Sequence, residues 1–181
     1  MKQNNFIKGR GAQHNTPNKF LKHVYEIEQD FLEFCAKEGE EASNRKTEYL
    51  AVYPKTLVNK VSSTEVGMEY SMNPYQGCEH GCIYFYARNT HEFWGLSALL
   101  DFEQKILVKK NAASLLESKL KNNKWKAETI VLSGNTDCYQ PAEQEFKITR
   151  ACLEVFLRYR HPVGLITKNS LILRDLDLLK E

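Results

Sequence analysis

The sequence predicts an α/β fold built on a parallel sheet, and three observations carry that prediction. Residues 129–133 (TIVLS) form a short continuous apolar run, which is typical of a strand buried on both faces. A helical pattern follows from Pro141 to Tyr159, and Pro162 ends it. A second strand pattern, residues 163–167, comes next. Strand–helix repetition of this kind makes parallel sheets.

The other elements follow the same logic. Apolar spacing predicts a helix over 111–122, a helix beginning at Ser170, and a short helix over 24–37. Residues 50–61 are strand-like in part, and a strand in 67–74 leads into a loop with two cysteines. We therefore predict a partial (βα) barrel of about three parallel βα units over 61–181. An irregular and partly helical extension over 1–60 precedes it.

Composition narrows the classes of protein. The chain has 181 residues and a net charge of +2, so no global field favours nucleic acid or a membrane. It carries no apolar run long enough to span a bilayer and no signal-peptide core, which predicts a cytoplasmic location. Five cysteines are odd in number and too sparse for a secreted disulfide scaffold. They are buried apolar residues, metal ligands or reactive thiols.

Functional sites of parallel sheets lie at the carboxyl ends of the strands, here residues 73–82, 133–140 and 167–169. The first of these segments holds Cys78 and Cys82, whose thiolates suit zinc or an iron–sulfur cluster. Gly77 and Gly81 relieve crowding in such a loop. Taken alone, two such cysteines are a weak signal, and buried structural residues are the better explanation, since free cysteine is among the residues most often buried.

Longer motifs surround this pair. The segments are GRGAQHNTPNKF, NPYQGCEHGCIY, YARNTHEFWG, LDFE, LSGNTDCYQPAE and HPVGLITKNSLILRDLDLL. Together they resemble the radical S-adenosylmethionine (SAM) superfamily, in particular the enzymes related to spore photoproduct lyase. The resemblance covers nearly the whole chain, and motifs of this length are highly specific.

The resemblance implies a partial barrel of the radical SAM type and a mechanism. Three thiolates of a C-x₃-C-x₂-C motif hold a 4Fe–4S cluster, whose open iron chelates SAM. An electron donor such as flavodoxin or ferredoxin reduces the cluster, and cleavage of SAM yields a 5′-deoxyadenosyl radical that attacks a substrate. The cofactors supply this chemistry, and the protein positions them. The substrate is left open, with DNA or another nucleic acid as one candidate.

The family's ligand positions map only in part. Cys78 and Cys82 match the first two cluster ligands, but Phe85 stands at the third position and has no donor atom. Leu99 stands where the family pattern leads us to expect glycine. Both departures put the activity of this chain in doubt.

The resemblance also implies residues for the cofactor. Tyr84 is expected beside the cluster, and Asp137 is expected to accept a hydrogen bond from the ammonium group of SAM. The alternatives are an aromatic core residue and an ordinary strand-to-helix turn. Lys168 is expected near the carboxylate or ribose, with a solvated lysine as the alternative. The full predicted cofactor set is Tyr84, Ser133, Gly134, Asn135, Thr136, Asp137, Lys168 and Asn169.

Cys138 lies one position past Asp137, which makes it a candidate catalytic residue. It is a possible substitute ligand or a hydrogen donor to a substrate radical, and the alternative is a cysteine buried in a turn. His80 and His91 are better explained as hydrogen-bonded loop residues than as ligands. Cys35 and Cys152 fit the apolar faces of helices.

Three other interpretations stay open. The chain is a non-catalytic remnant, a zinc module, or a nucleic-acid binder that uses its basic first 25 residues and the aromatic run at 84–86. The zinc module would use Cys78, Cys82, Cys138 and His80, although the paired spacing of structural zinc sites is absent. We also expect the chain to be the amino-terminal piece of a longer protein, with its last strand at an exposed edge.

Overall fold

The computed structural model describes residues 7–20, 47–62, 67–82 and 84–181. The helix predicted over 24–37, with Cys35 on it, lies outside the described residues. In the described part, the strands are β1 (Glu48–Val52), β2 (Asn59–Lys60), β3 (Tyr70–Met72), β4 (Tyr75–Gln76), β5 (Lys105–Lys109), β6 (Ile130–Leu132) and β7 (Val163–Leu165).

Helices connect and cover these strands. The α-helices are α1 (Leu100–Gln104), α2 (Ala112–Leu120), α3 (Ala142–Phe146), α4 (Ile148–Arg158) and α5 (Leu176–Leu179), and two 3₁₀ helices span Tyr86–Trp94 and Ser170–Asp175. No helix in the described ranges is long and apolar enough to cross a bilayer.

The predicted parallel strands pair side by side. One sheet has the order β2-β3-β6-β7, in which β3, β6 and β7 are parallel and β2 is antiparallel. The register places Met72 beside Leu132 and Leu132 beside Leu165. The α/β class is thus confirmed, and β7 is an edge strand among the described residues. Those residues form open sheets and no closed barrel.

A second sheet, with the order β1-β5-β4, was not predicted as such. Strand β5 runs parallel to β1 and antiparallel to β4. Its sequence, KILVK, lies in a stretch where lysines dominate the composition, and the sequence analysis gave it no element. Ile106, Leu107 and Val108 are nonetheless buried, because three apolar residues suffice for a strand that has a partner on each side.

The long helix predicted from Pro141 to Tyr159 is wrong in one respect, because it breaks at Lys147. This residue adopts a left-handed conformation with φ of 51° and separates α3 from α4. Glu143 supplies the reason: its buried carboxylate accepts hydrogen bonds from the backbone N–H groups of Thr149 (2.8 Å) and Arg150 (3.3 Å). A carboxylate at the amino end of α4 satisfies free N–H groups and favours the helix dipole.

The main apolar core lies between the sheets and helices α2 and α4. Met72, Ile130 and Leu132 fill it from the β2-β3-β6-β7 sheet, and Leu116 enters from α2. Cys152 is fully buried in this core, as its place on a helix face predicted. The core thus fixes the sheet from which the site loops emerge.

Candidate functional site

A cavity of about 420 Å³ opens where β3, β6 and β7 end. Most of the predicted site residues line it, which are Cys78, Cys82, Tyr84, Phe85, Ser133, Gly134, Thr136, Asp137 and Lys168. Met68, Phe102, Ile166 and other side chains complete its wall. The predicted residues Asn135, Cys138 and Asn169 are not part of this lining. Its volume falls within the range of about 300–1,000 Å³ typical of small-molecule sites.

The backbone of the two-cysteine loop packs tightly against the backbone of Phe102. Gly77 has φ of +85°, and a Cβ there would lie 2.9 Å from the carbonyl oxygen of Phe102. The next amide, that of Cys78, donates a hydrogen bond of 2.8 Å to that same oxygen. Only glycine fits at position 77 without moving the backbone. Cys78 is consequently buried, whereas Cys82 is half-buried.

Each thiol has a nitrogen close to it. His80 Nδ1 lies 3.5 Å from Cys78 Sγ, and Lys168 Nζ lies 2.5 Å from Cys82 Sγ. Burial raises the pKa of the Cys78 thiol. The hydrogen bond to Cys82 raises the pKa of Lys168, which keeps that amine charged at the cavity wall.

Asp137 joins the ends of β6 and β7. Its Oδ1 accepts hydrogen bonds from the Thr167 hydroxyl (2.7 Å) and the Tyr139 amide (2.9 Å), and its Oδ2 accepts one from the Lys168 amide (3.1 Å). His80 Nδ1 lies 3.8 Å from Oδ2. Burial lowers the pKa of His80, and Lys168 lowers it further against the opposing effect of Asp137. The cavity wall therefore carries one negative side chain, Asp137, and one positive side chain, Lys168, and His80 contacts Asp137 and Cys78.

The turn over 133–137 takes its shape from Asn73. The Oδ1 atom of this buried side chain accepts backbone hydrogen bonds from Gly134 (3.1 Å), Asn135 (3.3 Å) and Thr136 (3.2 Å). Ser133 adopts a positive φ of 79°, which is uncommon outside glycine. Asn73, the first residue after β3, thus links the end of that strand to the turn that follows β6.

A reciprocal pair of side chains ties the cysteine loop to α3. Gln140 accepts a hydrogen bond from the Glu79 amide (3.1 Å) and donates one to the Gly77 carbonyl (3.0 Å). Glu79 in turn accepts hydrogen bonds from the Ala142 amide (2.9 Å) and the Tyr49 hydroxyl (3.1 Å). The loop is therefore fixed to β1 and to the amino end of α3.

Aromatic side chains form one wall and the mouth of the cavity. Phe85 stacks on Tyr86 with ring centroids 5.6 Å apart, and it lies 6.1 Å from the ring of Phe102. Tyr84 is 81% exposed, and the hydroxyl of the exposed Tyr86 donates a hydrogen bond to the carbonyl of Gly134. Tyr86 therefore spans the mouth from the cysteine loop to the 133–137 turn.

The residues present do not fit a cluster held by three cysteines. Phe85 lines the same cavity as Cys78 and Cys82, but its ring offers carbon and hydrogen only. Across the described segments, no group of three or more His, Cys, Asp or Glu residues is placed to hold a metal ion. The four residues of the zinc-module interpretation, Cys78, Cys82, Cys138 and His80, therefore do not form such a group.

The position of Cys138 corrects its predicted role. Cys138 is fully buried in the hydrophobic core, and burial raises the pKa of its thiol to about 12. Its amide donates to the Ser133 hydroxyl (2.8 Å), and its carbonyl accepts from the Thr149 hydroxyl (2.6 Å). The backbone of the turn carries Cys138 past the rim and points its side chain into the core. From this position the Cys138 thiol cannot act at the cavity, either as a metal ligand or as a hydrogen donor to a substrate radical.

His91 lies beneath the cysteine loop and is fully buried. A Cβ at Gly77 would lie 3.1 Å from its Cε1 atom, and its ring packs edge-on to Phe102 at 5.5 Å. Neither ring nitrogen forms a hydrogen bond of normal geometry within the described residues, although the backbones of Asp101 and Lys105 lie close enough to act on the ring. The sequence analysis expected a hydrogen-bonded loop histidine, so that expectation is corrected to a core residue. Burial lowers the pKa of His91 to about 4.

This burial predicts an acid sensitivity. The unfolded chain protonates His91 near pH 6.5 and the folded chain only near pH 4, so unfolding takes up a proton between those values. We expect the free energy of unfolding to fall by up to about 3 kcal/mol from this one group as the pH falls from 6.5 to 4. Urea titrations of wild type, His91→Phe and the exposed control His14→Phe would measure it. Identical pH slopes in wild type and His91→Phe would contradict the prediction.

Sequence reasoning missed the buried and half-buried polar residues behind the site. The sequence motifs contain all of these residues, but no role was predicted for them. They are Asn73, Glu79 and Gln140, together with Arg88 in YARNTHEFWG and Glu103 in LDFE. Their available signal was a polar side chain inside an otherwise turn-rich or apolar motif. Such residues are usually paired when buried, but the sequence does not say with what.

The chain is similar to proteins from distant organisms. An uncharacterized protein of Mycobacterium tuberculosis is 35% identical over 128 residues, which are 70% of this chain and 38% of that relative. An uncharacterized protein of Methanocaldococcus jannaschii is 31% identical over 138 residues, or 76% of this chain and 49% of the relative. One of Acidianus two-tailed virus is 27% identical over 122 residues, which are 65% and 40%.

This chain thus spans less than half the length of these curated relatives. No protein-family model matches the chain. No solved structure matches it either.

Proposed function

We propose that this chain is part of a radical SAM-type domain whose cavity binds S-adenosylmethionine without the reductive cleavage that a three-cysteine cluster supports. The observation that carries the proposal is the convergence of Asp137, Lys168 and three aromatic side chains on one cavity at the ends of parallel strands. The motifs that resemble the family supply most of these residues.

The cavity chemistry matches the ligand. SAM carries an ammonium and a carboxylate at one end, a sulfonium in the middle and an adenine ring at the other end. Asp137 complements the ammonium and Lys168 complements the carboxylate through charge-assisted hydrogen bonds. Tyr84, Phe85 and Tyr86 offer ring faces that attract a cation and stack on a base.

Without the third thiol, the cavity keeps the groups that would bind SAM but lacks the ligand set for the cluster that would cleave it. Two thiolates and a phenyl ring leave two irons of a 4Fe–4S cluster without a protein ligand, one more than the single open iron that chelates SAM in the family, so no electron transfer to SAM is assigned to this chain. What the residues provide is a shaped, charged and partly apolar cavity. The proposed role is therefore that of a SAM-binding domain, derived from the radical enzymes and lacking their cluster.

The decisive variant is Phe85→Cys. After anaerobic reconstitution with iron and sulfide, we expect little cluster in wild type and an oxygen-sensitive iron–sulfur absorbance in the variant, because the variant restores the C-x₃-C-x₂-C ligand set. Iron and sulfide content per chain would be measured. Phe85→Ser is the matched control, since it removes the same ring without adding a thiol. Equal iron in wild type and Phe85→Cys would show that position 85 is not a ligand position.

Binding is tested separately by calorimetry with SAM. We expect Lys168→Met to weaken binding by roughly tenfold or more, since a charged hydrogen bond contributes about 1.5–3 kcal/mol. Lys124→Met, at an exposed lysine, should bind as wild type does. Absence of SAM binding in wild type would contradict the proposal.

One observation favours a second candidate, a cluster-bearing radical enzyme. Cys78 and Cys82 line the same cavity as Asp137 and Lys168, as the family's chemistry requires. The same reconstitution separates the two candidates. A stable cluster in wild-type protein, together with 5′-deoxyadenosine release from SAM under reducing conditions, would favour the enzyme.

A further inference from the structure

The opening segment GRGA, residues 9–12, packs directly against the cysteine loop. A Cβ placed on Gly81 would lie 3.2 Å from both the amide nitrogen of Gly11 and the carbonyl oxygen of Gly9. Ala12 is buried. The sequence analysis placed these residues in an irregular extension, whereas the structure makes them the back wall of the loop.

One buried carboxylate holds this segment in place. Glu103, at the end of α1, is fully buried, and it accepts hydrogen bonds from the amides of Gly11 and Ala12, each of 3.0 Å. The guanidinium group of Arg10 donates to the Glu103 carbonyl (2.5 Å) and to the Thr47 hydroxyl (2.8 Å). The side chain and the backbone of one residue therefore both anchor the segment.

The same carboxylate reaches the cysteine loop through Arg88. Arg88 pairs with Glu103 at 2.5 Å, and it donates two hydrogen bonds, of 2.8 and 3.2 Å, to the carbonyl of Cys82. Arg88 also donates to the carbonyl of Leu99 (3.2 Å). A charged group that is fully buried and bonded on every side is costly to disturb, because each broken bond leaves a buried polar atom without a partner.

We propose that residues 9–12, locked by Glu103, form a latch that controls access to the thiol of Cys78. Cys78 is 5% exposed with the latch in place. The latch contacts Gly81 and is linked through Glu103 and Arg88 to Cys82, so its release frees the carboxyl half of the loop that carries Cys78. Cys78 borders the cavity, so opening of the latch loosens the loop that carries this residue and makes its thiol more accessible from the cavity to thiol-reactive reagents and thiophilic metal ions. The proposal does not depend on which ligand the cavity binds.

Thiol labelling in the intact chain tests the latch. The variants are Glu103→Gln, which removes the charge, and Gly11→Pro, which removes one donor and leaves the carboxylate. We expect maleimide to label Cys78 about tenfold faster in each than in wild type, since loss of a charged hydrogen bond shifts an opening equilibrium by roughly that factor. Glu128→Gln, at an exposed glutamate, is the control and should label at the wild-type rate.

Two internal references separate latch opening from global unfolding. Cys138 and Cys152 are fully buried core thiols, so their labelling reports unfolding of the whole domain. Peptide mass mapping gives the rate at each cysteine. In Glu103→Gln, which keeps the Arg10–Gly11 bond, tryptic cleavage after Arg10 should accelerate together with labelling of Cys78. Faster labelling of Cys78 with unlabelled core cysteines supports the latch. A Cys78 rate that is unchanged in both variants, or that rises only in step with Cys138 and Cys152, would overturn it.

Discussion

Replacing Asn73 with alanine is expected to lower the free energy of unfolding by about 3 kcal/mol or more. One amide oxygen accepts three backbone N–H groups of the 133–137 turn, and alanine leaves all three without that partner. An unsatisfied buried donor costs about 1–3 kcal/mol, and partial relaxation of the turn recovers some of the sum. Asn73 is 5% exposed, so water has little access to compensate.

The effect should extend to the cavity. Gly134, Thr136 and Asp137 line the cavity and belong to the turn that Asn73 shapes. Asn73→Ala is therefore expected to weaken SAM binding even in the fraction of molecules that stays folded. This consequence rests on the proposed function, whereas the loss of stability does not.

Two matched variants sharpen the measurement by urea unfolding. Asn73→Asp keeps an oxygen at the same place and should retain most of the stability. Asn135→Ala removes an amide from the same turn whose side chain makes no hydrogen bond among the described residues, and it should change stability by under about 1 kcal/mol. If Asn73→Ala and Asn135→Ala unfold at the same urea concentration, the turn does not depend on Asn73.

The sequence predicted the part of the fold that depends on apolar periodicity. Residues 129–133 and 163–167 carry a strong strand pattern, and they pair in parallel as β6 and β7. The pattern fails where it is short or mixed. Strand β5 is three apolar residues between lysines, and its burial comes from β1 and β4 on either side, which no local window contains.

The sequence predicted which strand ends carry the candidate site, but it did not predict which side chains contact each other there. Loops at the carboxyl ends of parallel strands converge. This rule was enough to predict that Cys78, Asp137 and Lys168 lie near one another, and all three line one cavity. The rule does not say which way a side chain points. Cys138 follows Asp137 directly, yet it faces the core, because successive residues of a tight turn point in different directions.

Buried charge was the least predictable feature. Glu103, Glu143 and Asp175 are each fully buried, although glutamate and aspartate are usually exposed. Each is satisfied by arginines distant in sequence or by backbone amides. Such pairs depend on tertiary geometry, so composition and spacing carry no signal for them.

Arg174→Met is expected to cost about 3–5 kcal/mol of unfolding free energy, because it removes the cation shared by two buried carboxylates. Arg174 donates to Glu143 Oε1 (2.7 Å) and to both carboxylate oxygens of Asp175 (2.8 and 2.7 Å). Methionine preserves much of the length of the side chain, so the loss is mainly one of charge and hydrogen bonds. Glu143 also caps α4, and the helix end should loosen with it.

The pH dependence of this deficit identifies its cause. Burial acts to raise the pKa of Asp175, but hydrogen bonds from Arg174 and Arg150 outweigh it and lower that pKa below its usual value. The ionised form of Asp175 therefore stabilises the wild type above the usual aspartate range, and this contribution is lost as the pH falls through the lowered pKa. Without Arg174 the buried Asp175 carboxyl can avoid a poorly paired charge by binding a proton. The gap between wild type and Arg174→Met is therefore expected to narrow from pH 7 towards pH 4.

Arg158→Met provides the matched control, since Arg158 is exposed and pairs with Glu117 at 3.3 Å on the surface. An exposed ion pair contributes about 0–1 kcal/mol, so this variant should unfold close to wild type at every pH. Urea titrations of the three proteins at pH 7 and pH 4 give the comparison. A deficit in Arg174→Met that is no larger than in Arg158→Met, or that stays constant with pH, would mean that the two carboxylates do not depend on Arg174 for their charge. The remaining partners, Arg150 for Asp175 and the α4 amides for Glu143, would then be sufficient to hold the two side chains in place.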